Sequence, residues 1–155
     1  MRSAFTMIEL IFVIIIIGIL ATIALPKLAA TRTDSKVSTI LANLKHVSID
    51  SATFYSARGE SEWINAKVNL VTNVPLFTDN QCKAKIDDNT KMVGTLLYIC
   101  DDDKSVIEFN ATNTHLFVNK GISNSLIANT VYDSKVFKTL SLSSGIRLGG
   151  INVTR

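Results

Sequence analysis

The stretch "AFTMIELIFVIIIIGILATIALP", residues 4–26, decides the fold of the first part of this chain. From Leu10 to Leu25 its only polar residue is Thr22, so a helix built from it is apolar on every side. Residues 5–25 would form a helix ~30 Å long, about the thickness of the hydrocarbon core of a bilayer. The composition of this stretch therefore predicts a helix that spans a membrane.

Glu9 is the exception in this run, because a carboxylate in an apolar environment is costly and indicates a function. Three interpretations are open. The stretch could be a secretory signal peptide, with Arg2 as its basic start and "ATIA" at 21–24 as its cleavage site. It could be a plain membrane anchor. Alternatively, cleavage between Ala4 and Phe5 would place a new amino group one helical turn from Glu9, and only this third interpretation gives the carboxylate a partner.

The segment Ala4-Phe5-Thr6-Met7-Ile8-Glu9-Leu10, followed by the apolar run and Pro26, resembles the N-terminus of type IV pilins and of type II secretion pseudopilins. The resemblance covers about the first 30 residues. It implies that a prepilin peptidase removes residues 1–4 and methylates the new amino group of Phe5. It also implies that Glu9 is required for a subunit to enter a filament. The family usually has Gly before the cleaved bond, where this chain has Ala4.

The resemblance implies a structural protein without enzymatic activity or cofactor, most directly a type II secretion pseudopilin or a minor pilin. Its expected location is the inner membrane, crossed once, with the C-terminal head in the periplasm. The expected partners are further copies and other pilins, the prepilin peptidase and an inner-membrane assembly platform. Nucleic acid is expected only for a DNA-uptake pilus, since 16 Lys and Arg against 13 Asp and Glu leave a net charge of +3. The alternative is a membrane-anchored periplasmic binding domain that does not polymerise.

The resemblance and the sequence pattern divide the chain into a leader (1–4), an apolar helix (5–26), an amphipathic helix (27–58) and a head (59–155). Pro26 lacks the amide that a helix interior needs, and Gly18 lowers helix propensity, so the helix is expected to bend between them. Beyond Pro26, apolar residues recur at steps of three and four, and Gly59 is the predicted end of the helix. The apolar positions are Val37, Ile40, Leu41, Leu44, Val47 and Tyr55.

The head is predicted to be α+β, with the long N-terminal helix packed on a small antiparallel sheet. Residues 60–91 show no regular pattern. Residues 123–140 fit a helix, two strands or a mixture, and a mixture is favoured. Strands are predicted at 94–100, 105–109 and 115–118, connected as a meander, with a last strand in 146–153 broken at Gly149-Gly150.

Cys82 and Cys100 are predicted to form a disulfide, because export would place them in an oxidising compartment. Two buried thiols are the alternative. The run Asp101, Asp102 and Asp103 is a weak candidate for calcium binding. It lacks the alternating acids and the glycine of an EF-hand loop, so a solvated hairpin turn is favoured.

Trp63 is expected to pack the head against the helix rather than to bind a ligand. His46 and His115 have no cysteine or carboxylate at a ligand spacing, so neither is expected to bind a metal. The sequence contains no recognisable pair of nucleophile and base.

Overall fold

The computed structural model describes the backbone of residues 6–149, and the side chains of 6–23 and 31–149. The predicted cleavage site at Ala4 and Phe5, and the last strand beyond Gly149, lie outside the described residues. Contacts divide the chain into two compact units, Met1–Ser35 and Lys36–Arg155.

The fold is α+β, as predicted. Its helices are α1 (Met7–Ile64), α2 (Val68–Val71), α3 (Leu126–Asp133) and α4 (Lys135–Leu140). Its strands are β1 (Leu96–Asp101), β2 (Lys104–Ala111), β3 (His115–Lys120) and β4 (Ile146–Arg147).

The prediction of a membrane anchor over residues 5–26 has to be corrected. Among the described residues, no helix is long and apolar enough to cross a membrane. A spanning helix needs about 20 consecutive apolar residues, whereas α1 begins at Met7 and carries Glu9 in its first turn. The expectation of a single-pass inner-membrane protein with a periplasmic head is therefore wrong.

The sheet of the second unit is antiparallel, with strand order β1-β2-β3-β4. This confirms the predicted meander. Burial alternates along β3, as expected for a strand with one face on the core, whereas β1 and β2 each contain three consecutive buried residues, at 97–99 and 105–107. The buried set includes Leu97, Ile99, Phe109, Leu116 and Val118.

The part of α1 that belongs to the second unit buries one side of the helix. Val37, Ile40, Leu44 and Val47 share one hydrophobic core with the buried side chains of the sheet. Their spacing of three and four residues is the spacing of one helical face. The predicted amphipathic helix is thus the element that lies against the sheet.

Gly59 interrupts α1 but does not end it. Its backbone torsions, φ 81° and ψ 176°, are non-helical and favour glycine, yet the helix resumes beyond it. The extra turn places Trp63, which is fully buried, so that its Nε1 donates to the Thr112 carbonyl at 2.8 Å. Its ring lies 6.2 Å from the rings of Phe54 and Tyr55. The expected packing role of Trp63 is confirmed, and the expected helix end is one turn too early.

Residues 123–140 form two short helices rather than a mixture of helix and strand. Each begins at a serine whose hydroxyl accepts a backbone N–H of the first turn. Ser125 accepts from Ala128 at 3.1 Å, and Ser134 accepts from Phe137 at 3.2 Å. These caps select helix where the apolar pattern alone is ambiguous.

The region 60–91 is mostly irregular, as predicted, and its segment at Phe77 lies along the free edge of β1. The backbones of Phe77 and Tyr98 exchange two hydrogen bonds, of 3.0 and 2.8 Å. The predicted disulfide between Cys82 and Cys100 is present, with the two Cα atoms 6.0 Å apart. The edge of the sheet is therefore covered and covalently closed on this side.

Candidate functional site

The start of α1 is capped by the side chains of Thr6 and Glu9. The Thr6 backbone amide donates to Glu9 Oε2 at 2.8 Å, and the Thr6 hydroxyl donates to the same oxygen at 2.7 Å. The Glu9 amide donates to Thr6 Oγ1 at 3.4 Å. This reciprocal arrangement is a capping box, which satisfies amides that a helix start otherwise leaves unpaired.

The capping box also fixes the charge of Glu9. The backbone hydrogen bond from Thr6, followed by the hydroxyl hydrogen bond from the same residue, lowers the pKa of the carboxyl below its ordinary value. A negative charge is further favoured by the helix dipole at this end. Both hydrogen bonds end on Oε2, and within residues 6–149 no donor reaches Oε1. One carboxylate oxygen therefore remains available to a cation.

This partner of Glu9 was not predicted from the sequence. Thr6-Met7-Ile8-Glu9 matches the capping-box pattern of Ser or Thr followed three residues later by Glu, and the signal was readable. The predicted partner, the amino group of Phe5, lies outside the described residues. Glu9 thus has a local role in the helix, in addition to the role that the resemblance implies.

The helix of residues 7–23 exposes its apolar side chains in every direction. The exposed fraction of its large apolar side chains runs from 42% at Ile16 to 78% at Met7. The single polar side chain of the run, Thr22, is satisfied by the Ile19 carbonyl at 2.7 Å. A helix that is apolar on all sides is typical of a buried element, and a contiguous exposed apolar surface marks an interaction site.

Gly18 and Pro26 both lie inside α1, and neither ends it. A methyl group at Gly18 would meet nothing within 4 Å. Packing among the described residues therefore gives no reason for a glycine there. The proposed bend between these two residues stays a prediction.

The three consecutive aspartates lie at the turn between β1 and β2, where a hairpin was favoured. Lys36 Nζ donates to Asp101 at 2.7 Å and to Asp102 at 3.2 Å. The hydrogen bond to Asp101, then the one to Asp102, raises the pKa of Lys36. Two of the three candidate calcium ligands are thus paired with the Lys36 ammonium group, and Asp103 is not part of this ion pair.

Both histidines lie beside polar side chains. The His115 ring nitrogen Nδ1 is 2.8 Å from the Thr114 hydroxyl. His46 lines a shallow surface depression together with Asp50 and Asn43. Across the described part of the chain, no group of three or more His, Cys, Asp or Glu side chains is arranged to hold a metal ion.

The second unit carries an open apolar groove between α1 and α4, with a volume of about 370 Å³. Sequence reasoning missed it because α4 lies in the ambiguous region. Ile49 in this groove is 60% exposed. The lining residues are Lys45, Ser48, Ile49, Lys135, Val136, Thr139 and Leu140.

The structure therefore brings forward two surfaces: the apolar helix with its capped carboxylate in the first unit, and the groove in the second. The ion pair of Lys36 and the disulfide are structural elements of the head. Comparison of the chain with protein-family profiles, with curated proteins and with solved structures finds no match.

Proposed function

We propose that this chain is a structural subunit of a helical filament of the type IV pilus kind, most directly a type II secretion pseudopilin or a minor pilin. The observation that carries the proposal is the apolar helix of residues 7–23, whose large side chains are exposed on every side. Packing against the same helix in other copies is the proposed way in which this surface is covered.

The available burial is sufficient for such an assembly. Thirteen large apolar side chains between Met7 and Ile23 are exposed by 42–78%. Covering the exposed half of one such side chain contributes about 1 kcal/mol of hydrophobic free energy, so covering all of them contributes roughly 10 kcal/mol or more. Association costs about 4–15 kcal/mol in lost freedom, so stable packing requires that most of this surface is covered. One flanking neighbour is not enough, whereas a bundle of several copies is.

Glu9 is proposed to set the register of that bundle. A carboxylate carried into apolar packing is unfavourable unless it is paired. Its proposed counter-charge is the amino group of Phe5 in a neighbouring subunit, exposed by cleavage after Ala4 and methylated by a prepilin peptidase. The capping box supports this assignment, because Thr6 engages one carboxylate oxygen and leaves the other free to meet a cation.

Three variants separate the capping role of Glu9 from its pairing role. Glu9→Gln keeps a residue that can close a capping box but removes the charge. Thr6→Val removes the hydroxyl of the cap but keeps the charge. Glu9→Ala removes the charge together with the carboxylate that accepts the hydrogen bonds of the cap. We expect the Gln and Ala variants to be cleaved after Ala4 yet to form no filaments. The Val variant is expected to assemble at a reduced level.

Each variant is expressed as the only copy, and sheared filaments are counted by electron microscopy and immunoblotting. Intact-mass analysis gives the mature start, which is expected at Phe5 with one added methyl group. Wild-type levels of filaments from the Gln variant would show that Glu9 acts through the cap alone. A mature chain starting at Met1 or after Ala24 would contradict the pilin assignment. Absence of filaments from the overexpressed wild-type chain would favour a binding domain that does not polymerise.

A further inference from the structure

The groove between α1 and α4 has a cationic rim. Lys45 and Lys135 line it and are exposed, and neither forms an ion pair with any residue that the structure describes. Lys138, on the exposed side of α4, pairs with Asp133 at 3.4 Å. Lys138 and Asp133 do not line the groove, so the rim carries two ammonium groups without an ion pair, and an anionic group is their complementary partner.

An anionic segment is present on the same unit, at the β1–β2 turn. Asp101 is largely buried against Lys36, whereas the Asp102 side chain is 81% exposed. Asp103 is exposed and, like the rim lysines, is without an ion pair among residues 6–149. Together with Lys36 and Lys104, the turn presents three carboxylates against two ammonium groups. A two-residue turn protrudes from a sheet, and a groove is concave.

The turn and the groove lie on opposite flanks of the head. Lys36, which holds the turn, and Lys45, which lines the groove, are nine positions apart in α1. Nine residues make two and a half helical turns, so the two side chains point to opposite sides of the helix. A turn on one flank cannot reach the groove of its own head. A contact between different patches of two copies is heterologous, and it produces a ring or an open helical filament.

We infer that the groove is an interface that receives the Asp102–Asp103 turn of the next copy, with the carboxylates at the Lys45 and Lys135 rim. This inference rests on the proposed filament function and adds a head-to-head contact to it. The charged groups of this contact contribute direction and register more than affinity.

A charge exchange tests the contact in the full-length chain. The rim variant carries Lys45→Glu and Lys135→Glu, the turn variant carries Asp103→Lys, and a third chain carries all three changes. Asp103 is chosen because Asp102 has a φ of 52°, which a lysine would adopt with strain. Lys135 is the first residue of α4, where an acidic side chain is favourable. Lys91→Glu is the matched control, an exposed charge reversal beside Asn65, twenty positions along the chain from Lys45 and at the end of β2 opposite the turn.

We expect the rim and turn variants each to form at least fivefold fewer filaments than the wild-type chain. The combined variant is expected to recover to within twofold of wild type, and the control to remain at that level. Thermal melting of each purified variant identifies any loss that comes from misfolding. Wild-type filament levels in both single-patch variants would overturn this inference and leave the proposed function standing. A folded combined variant that forms no more filaments than the turn variant would have the same consequence. A wild-type chain that forms no filaments would overturn both.

Discussion

Removal of the Cys82–Cys100 disulfide is expected to destabilise the second unit by about 3 kcal/mol. The two cysteines are 18 positions apart, and the chain-entropy relation for a loop of that length gives this value. The backbone bonds between Phe77 and Tyr98 do not depend on the sulfur atoms, so the native arrangement should persist. Cys82 has a φ of 61°, and serine adopts that conformation at a cost similar to that of cysteine. A double Ser variant therefore isolates the effect of the cross-link.

The assay is thermal and urea unfolding of a fragment that starts at Thr31, with circular dichroism as the signal. For a unit of about 120 residues, 3 kcal/mol corresponds to a melting temperature lower by about 10 °C. Reduction of the wild-type fragment should lower its melting temperature by the same amount, which provides an independent control. A double Ser variant that melts within about 2 °C of wild type would refute the loop-entropy argument. Labelling of both thiols in the native, unreduced fragment would show that the disulfide is absent.

Two further predictions concern the same unit. Trp63→Ala should destabilise it by about 3–5 kcal/mol in urea unfolding, because it leaves a cavity, whereas Trp63→Phe should cost about 1–3 kcal/mol by leaving the Thr112 carbonyl unpaired. Equal losses from the two variants would contradict the cavity argument. Lys36→Gln should lower the melting temperature at neutral pH, since the Lys36–Asp101 ion pair raises the pKa of the ammonium above 10.5. That advantage of the wild type is fully present below pH 10.5 and lost as the pH rises through the raised pKa, so melting curves that differ equally at all pH values would contradict the ion-pair assignment.

The sheet could be predicted from the sequence because its patterns are local. Polar connections at Asp101–Lys104 and Ala111–His115 separate short apolar segments, and the strands formed between them as expected. Residues 123–140 could not be assigned in this way, since their apolar residues fit both periods. The deciding contacts are the hydroxyls of Ser125 and Ser134, and a serine in a polar region is equally typical of a turn.

The apolar helix and its carboxylate were also visible in the sequence, but their surroundings were not. The run of Ile and Leu indicated a hydrocarbon environment, and the membrane-spanning interpretation of it was wrong. The composition of a segment indicates that its apolar surface must be covered, but it does not indicate whether lipid or protein covers it. The groove was invisible for a related reason, since Ile49 and Leu140 come together only when α4 is placed beside α1.

The capping box at Thr6 and Glu9 has a consequence for the order of events in the proposed assembly. Its hydrogen bonds are made within one chain, so the carboxylate is oriented before any second chain arrives. A glutamate on a frayed helix end would sample several rotamers, and a partner would have to select one of them at the moment of contact. Here the hydrogen bonds of the cap already hold the Glu9 side chain in one rotamer, so less side-chain entropy is lost when a partner binds. Recognition at this point resembles the docking of a rigid body.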